Sequence, residues 1–164
     1  MHEPLNHKHL DLRRVNMAIR AVVKEDESQL RSIAKNILEP LYGSQEKAIN
    51  EWLTGNGYKK AFVFSLDGEI ASLLSMKADP GKNFLKISTL VVIENFRGMK
   101  IGRQMLDFAI SFTKERGYKN IIVTVSESKP MAVAFFQNSG FETVETCLGK
   151  YIEGVNELIM LMEV

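Results

Sequence analysis

The sequence predicts an α/β fold of the α+β type, with a mixed, mostly antiparallel central sheet of about six or seven strands flanked by helices. Three observations predict it. Short apolar or alternating runs occupy the middle and the end of the chain, longer segments carry apolar residues at helical spacing, and turns bearing glycine or proline separate them. With 164 residues, 45% hydrophobic and 25% charged, the chain is long enough to bury a core unaided.

The opening segment "MHEPLNHKHLDLRRVN" has neither helical nor strand period, so residues 1–16 are expected to be a flexible extension and residues 17–164 one domain. All three histidines, His2, His7 and His9, lie there, too few ligands for a zinc site, and no metal is expected. "AIRAVV" (residues 18–23) reads as a first strand. Asp26 followed by Gln29 has capping-box spacing, and Leu30, Ile33, Ala34, Ile37, Leu38 and Leu41 recur on one helical face that ends near Pro40 and Gly43. Ser44 is placed to cap a second helix with Ala48, Ile49, Trp52 and Leu53 on its buried face.

"KKAFVFSLDGEIASLLSMKA" is read as a hairpin turned by Asp67-Gly68, because a tight turn needs the positive φ angles that this dipeptide supplies. "FLKISTLVVI" continues the meander and finishes as an unbroken apolar run, expected of a strand covered on both faces. From Lys100 onward, Ile101, Met105, Leu106, Phe108, Ala109, Ile110 and Phe112 cover the helix beside a polar stripe, giving a long helix closed by Gly117. "NIIVTV" then returns parallel to the preceding strand. Pro130 opens a short helix ended by Gly140, and "FETVETCL" and "ELIMLMEV" are closing strands.

The net charge of +1 gives no basic face for a nucleic acid. No apolar run approaches the roughly 18 residues of a membrane span, and the opening residues lack the apolar centre of a secretory signal. The expected location is therefore cytoplasmic, with neither membrane nor nucleic-acid partner. Cys147 stands alone, which excludes an internal disulfide. Exposed edges of the closing strands offer a surface for a homodimer.

The most informative stretch is "LVVIENFRGMKIGRQML". A strand that ends in a basic, glycine-bearing loop and passes straight into a helix aims backbone N–H groups and a helix N-terminus at one point, which favours an anion such as phosphate. Together with "AVAFFQNSGF" and the order of elements after Met17, this stretch resembles the GCN5-related N-acetyltransferase (GNAT) superfamily, whose signatures are Leu-x-Val with Arg/Gln-x-x-Gly-x-Gly/Ala, and Ala-x-x-x-Tyr-x-x-x-Gly-Phe.

The resemblance implies transfer of an acetyl group from acetyl-CoA to a primary amine, whether a small molecule, a lysine side chain or a protein N-terminus. It implies that the main chain of Leu90, Val91 and Val92 holds the pantetheine arm. It also implies that the amides of Arg97, Gly98, Met99, Lys100, Ile101, Gly102 and Arg103 surround the pyrophosphate, with Arg97, Lys100 and Arg103 adding positive charge. Lys129 and Phe136 occupy further cofactor-contacting positions. Three departures stand out: Lys100 replaces the middle glycine, Lys129 a frequent asparagine, and Phe136 the tyrosine that often protonates the departing thiolate. A phenyl ring cannot donate a proton. Tyr151, in the "GKYIEG" connection between the closing strands, is the candidate replacement. The base stays open among water relayed to Ser88 or Thr89 and a carboxylate, since Thr124 stands where some relatives carry glutamate; Glu127 is a substitute. The alternative function is an acyl-CoA-binding sensor without turnover.

Overall fold

A computed structural model describes residues 16–55, 58–149 and 152–164. Seven strands form one sheet in the order β1-β2-β3-β4-β5-β7-β6. In chain order the strands are β1 (Met17–Ala21), β2 (Lys59–Leu66), β3 (Glu69–Ala78), β4 (Phe84–Val92), β5 (Asn120–Ser126), β6 (Glu142–Leu148) and β7 (Asn156–Glu163). The helices are α1 (Glu27–Ile33), α2 (Glu39–Tyr42), α3 (Glu46–Thr54), α4 (Ile101–Glu115) and α5 (Pro130–Asn138). The expected fold class holds. The chain divides into two compact units, one formed by the described residues up to Ser75 with Thr89–Phe108, the other by Met76–Ser88 with Ala109–Val164.

In the first unit, β1 pairs antiparallel with β2, from Met17 opposite Leu66 to Ala21 opposite Phe62. The β2–β3 turn has φ 52° at Asp67 and φ 83° at Gly68, so both turn residues take the left-handed conformation expected of a two-residue hairpin. Leu30, Ile33, Ala34, Leu38, Ile49, Trp52, Val63, Ile70 and Leu73 form its core. Burying one such leucine or isoleucine contributes about 1.5–3 kcal/mol.

The expected first helix runs through the right residues but not as one regular helix. Ala34–Leu38 is a π-helical segment between α1 and α2. Pro40 supplies the reason: it lacks an N–H, and its ring crowds the carbonyl four residues back, so the helix widens before it. The capping reading is corrected too. The Asp26 carboxylate accepts from the Val23 N–H at 2.8 Å and holds Arg20 through Nη1 and Nη2 at 2.8 and 2.9 Å. Gln29 instead reaches the hairpin, its Oε1 accepting from Ile70 N–H at 2.8 Å and its Nε2 donating to Gly68 O at 3.2 Å. At the second helix the N-cap is Gln45, and the Ser44 hydroxyl lies 3.5 Å from the Glu46 N–H.

In the second unit, β4 pairs parallel with β5 from Phe84 opposite Asn120 to Ile87 opposite Val123. β7 lies between β5 and β6, antiparallel to both. Ile121, Val123, Val125 and Met160 are buried on one face of these strands. No described helix is long and apolar enough to cross a membrane.

Candidate active site

The end of β4 is shaped by what it pairs with. Its register with β5 stops at Ile87, yet β4 continues to Val92. Toward β3, the Val91 carbonyl accepts a 2.7 Å hydrogen bond from the buried Ser72 hydroxyl, and the Ile93 N–H donates to Ala71 O at 2.9 Å. Neighbouring peptide groups of a strand turn to opposite edges, so Leu90 and Val92 present theirs to the other edge. Sequence reasoning missed Ser72, because a serine within "EIASLLSMKA" carries no mark of what its hydroxyl touches.

A short 3-10 turn, Glu94–Phe96, follows, anchored by Phe96, which is buried. Arg97 is extended with φ −68° and ψ 149°. Gly98 has φ 83° and Lys100 φ 60°, with Met99 between them outside the left-handed region. Alternation of left-handed with other conformations turns successive N–H groups into one concavity, the geometry of an anion-binding nest. Lys100 is therefore a lysine in a conformation that glycine adopts without strain, and the loop has accepted its Cβ.

Lys100 also begins α4. Its carbonyl accepts the first helical bond, from the Gln104 N–H at 3.2 Å, so the amides of Ile101 and Gly102 have no acceptor within the helix and point out of its start. Arg97, Lys100 and Arg103 are exposed around this end. Arg103 Nε lies 3.1 Å from Asp107 Oδ1, so one face of its guanidinium follows the helix. These residues fit a pyrophosphate: inward-turned amides, a helix N-terminus and cationic side chains on one loop.

In the second unit, Lys129 is the N-cap of α5, with no side-chain bond to the helix, and its N–H donates to Ser126 O at 3.0 Å. Phe136 is buried, its ring edge-on to Phe135 and Phe141 at 5.1 and 5.3 Å between centroids. It packs the corner where α5 meets β6. Tyr151 lies outside the described residues. Thr124 and Ser126 share one face of β5 and are half-buried, whereas Glu127, the other candidate carboxylate, is exposed. A second residue that sequence reasoning missed is Glu157, an almost fully buried carboxylate (4% exposed) on β7 opposite Ser126. Its place at the start of "ELIMLMEV" carries no signal of that burial. Among the described residues no group of three or more His, Cys, Asp or Glu side chains is placed to hold a metal.

Residues 25–141 match the profile of the acetyltransferase (GNAT) family. A curated relative, GCN5-related N-acetyltransferase 6, chloroplastic, of Arabidopsis thaliana, is 27% identical over 131 residues, covering 80% of this chain. The chain spans 42% of that relative's length. Among solved structures, Arabidopsis thaliana NAA60 with a bisubstrate analogue superposes with a TM-score of 0.78 at 14% identity, covering 90% of this chain and 98% of that one. The Escherichia coli ribosomal-protein-S18-alanine N-acetyltransferase gives 0.77 at 16% identity, covering 91% and 94%. These two show the fold. The profile match spans most of the chain, including the strand–loop–helix of residues 92–103 and the Gly140-Phe141 corner, and the chain belongs to the acetyltransferase (GNAT) family.

Proposed function

We propose that the protein is an N-acetyltransferase that moves an acetyl group from acetyl-CoA to a primary amine. The observation that carries this reading is the loop in which Gly98 and Lys100 take positive φ directly before the start of α4. Enzymes of the family use acetyl-CoA, which when bound supplies an acyl group activated as a thioester. In this reading the amides of residues 97–103 receive its pyrophosphate, and Arg97, Lys100 and Arg103 offset phosphate charge. The outward peptide groups of Leu90 and Val92 bind the pantetheine arm and polarise the thioester carbonyl. Lys129 and Phe136 form part of the cofactor's surroundings, Phe136 by packing alone.

The acceptor must arrive as a neutral amine, so a proton leaves its nitrogen before the C–N bond forms, and the departing thiolate takes one up. Tyr151 is assigned as the donor or as a positioning group. Residues 17–164 act as one domain in the cytoplasm, with residues 1–16 as a dispensable extension. Two chains pair through β6, the outermost strand, which exposes Val144 and Leu148.

Phe136 at the tyrosine position favours one second reading, an acyl-CoA sensor without turnover. Native mass measurement for bound CoA, followed by thiol release across a panel of monoamines, polyamines, lysine peptides and N-terminal peptides, separates the two. The enzyme reading expects release with at least one amine, reduced about a hundredfold in Tyr151→Phe at unchanged acetyl-CoA affinity. Binding without release by any amine would leave the sensor.

A further inference from the structure

β6 is the outermost strand of the sheet and carries neither lysine nor proline, the residues that most often blunt a free edge. Its guards are two glutamates, Glu142 and Glu145, and the register shift between Thr143 and Glu145. All seven of its residues are exposed except the half-buried Cys147. Val144 is 58% exposed and Leu148 82%, a large apolar surface to leave on a strand edge.

Past the shift the strand is regular: Glu145, Thr146, Cys147 and Leu148 oppose Ile159, Leu158, Glu157 and Asn156 of β7 in turn. Side chains alternate between faces, so Thr146 and Leu148 share one face, with Val144 at its start, and Glu145 and Cys147 take the other. An isologous dimer needs a patch that complements itself. When a strand pairs antiparallel with its own copy about a two-fold axis, one residue sits on the axis opposite itself, and this residue sets every other pair. With Glu145 on the axis, two carboxylates meet with Cβ atoms about 4.5–5.5 Å apart, which is repulsive. With Val144 there, Leu148 falls opposite position 140, before β6 begins, and stays uncovered. With Thr146 there, Val144 of each copy opposes Leu148 of the other, Thr146 opposes Thr146, and Glu145 opposes Cys147. That register covers both exposed apolar side chains and sets no glutamate of the strand against another.

We propose that two copies of the chain join antiparallel through β6 with Thr146 on the two-fold axis, closed on either side by a Val144–Leu148 pair. This rests on the β6 pairing of the proposed function and gives that pairing its register. Leu148 is the last residue of β6 before the connection that carries Tyr151, so the second copy covers the strand end from which that connection leaves.

The test uses the full chain. Sedimentation equilibrium is expected to show a dimer for wild type. Val144→Lys and Leu148→Glu, both at exposed positions, should each weaken it at least about tenfold, because either one removes both apolar pairs. The double variant should regain the dimer, since a lysine then opposes a glutamate in each pair. Within one chain the two positions lie about 13 Å apart along the strand, too far to compensate each other. In a Cys147→Ser background with oxidised glutathione, Thr146→Cys should give a disulfide-linked dimer, because opposed Cα atoms lie about 4.5–5.5 Å apart. Glu145→Cys, set two residues away from its own copy, should not link, its Cα atoms being more than about 7 Å apart. Monomeric wild type, or a dimer in which neither cysteine links, would overturn both the pairing and its register. Linking through Glu145→Cys instead, or a double variant no more dimeric than either single one, would overturn the register and leave the pairing.

Discussion

Lys100 holds φ 60°, a conformation that costs a residue with a Cβ about 1–2 kcal/mol relative to glycine. Replacing it with glycine removes that strain but loosens the unfolded chain by about 0.4–1 kcal/mol. Lys100→Gly is therefore expected to gain roughly 0.5–1 kcal/mol in urea unfolding, while acetyl-CoA binding loses some salt dependence because one cation leaves the loop. A destabilised Lys100→Gly would show that the lysine side chain holds the loop. Ser72 and Ser75 make a second contrast, since both are buried on β3 but only Ser72 has a partner, the Val91 carbonyl; Ser75 Oγ has none among the described residues. Ser72→Ala should cost about 1–2 kcal/mol and Ser75→Ala nothing or a slight gain, because an unsatisfied buried hydroxyl is itself destabilising. Since Val91 neighbours the peptide groups assigned to the cofactor, Ser72→Ala should also weaken acetyl-CoA binding severalfold, whereas Ser75→Ala should not. Equal affinities would remove Ser72 from the positioning of β4. That Lys100 stands at a glycine position was legible from the Arg-x-x-Gly-x-Gly pattern; its positive φ came from the structure. The partners of Ser72 and the burial of Glu157 were not, because both depend on which strand lies alongside.

Asp26 joins two elements, bridging Arg20 on β1 to the turn that starts α1 and accepting the Val23 N–H. Its side chain is almost fully covered, and the hydrogen bond from Arg20, opposed by burial and aided by the Val23 N–H, holds its carboxyl below the usual carboxylate range. A depressed carboxyl pKa contributes stability that is complete above the unfolded value and disappears as pH falls through the folded one. Melting temperatures measured from pH 6 downward should therefore fall more in wild type than in Asp26→Asn, most of the difference arising below about pH 4. At neutral pH Asp26→Asn should be less stable by about 1–3 kcal/mol. Parallel acid profiles would show that this pair contributes nothing. At this scale long amphipathic segments were legible: α4 and α3 lie where their periodicity put them, and Asp67-Gly68 makes the turn its φ angles allow. The π-helical segment was hidden because apolar spacing persists through it; only Pro40 signalled it. Gln29 misled because its spacing from Asp26 fits a cap, while its amide is spent on the hairpin backbone at Gly68 and Ile70.

For the molecule as a whole, consecutive elements were readable and non-local order was not. Nothing within "ELIMLMEV" says that β7 inserts between β5 and β6, because that choice follows from which edges remain unpaired once the chain has come back. The insertion matters, since it sets Glu157 beside Ser126 and leaves β6 outermost. The anion-binding loop, by contrast, is contiguous in sequence, so strand, glycine, cations and helix start could all be read together. Acetyl-CoA binding by that loop is the centre of the account. It is tested most directly by calorimetric titration of acetyl-CoA into wild type and Gly102→Glu, with thermal melts of both. Gly102 lies in the first turn of α4, where a glutamate brings bulk and negative charge to the amides assigned to pyrophosphate. Wild type is expected to bind one equivalent, and at about a hundred times the dissociation constant to gain roughly 2.7 kcal/mol of stability, with neither effect in a folded Gly102→Glu. Folded wild type that releases no heat and melts at the same temperature with and without acetyl-CoA would contradict it.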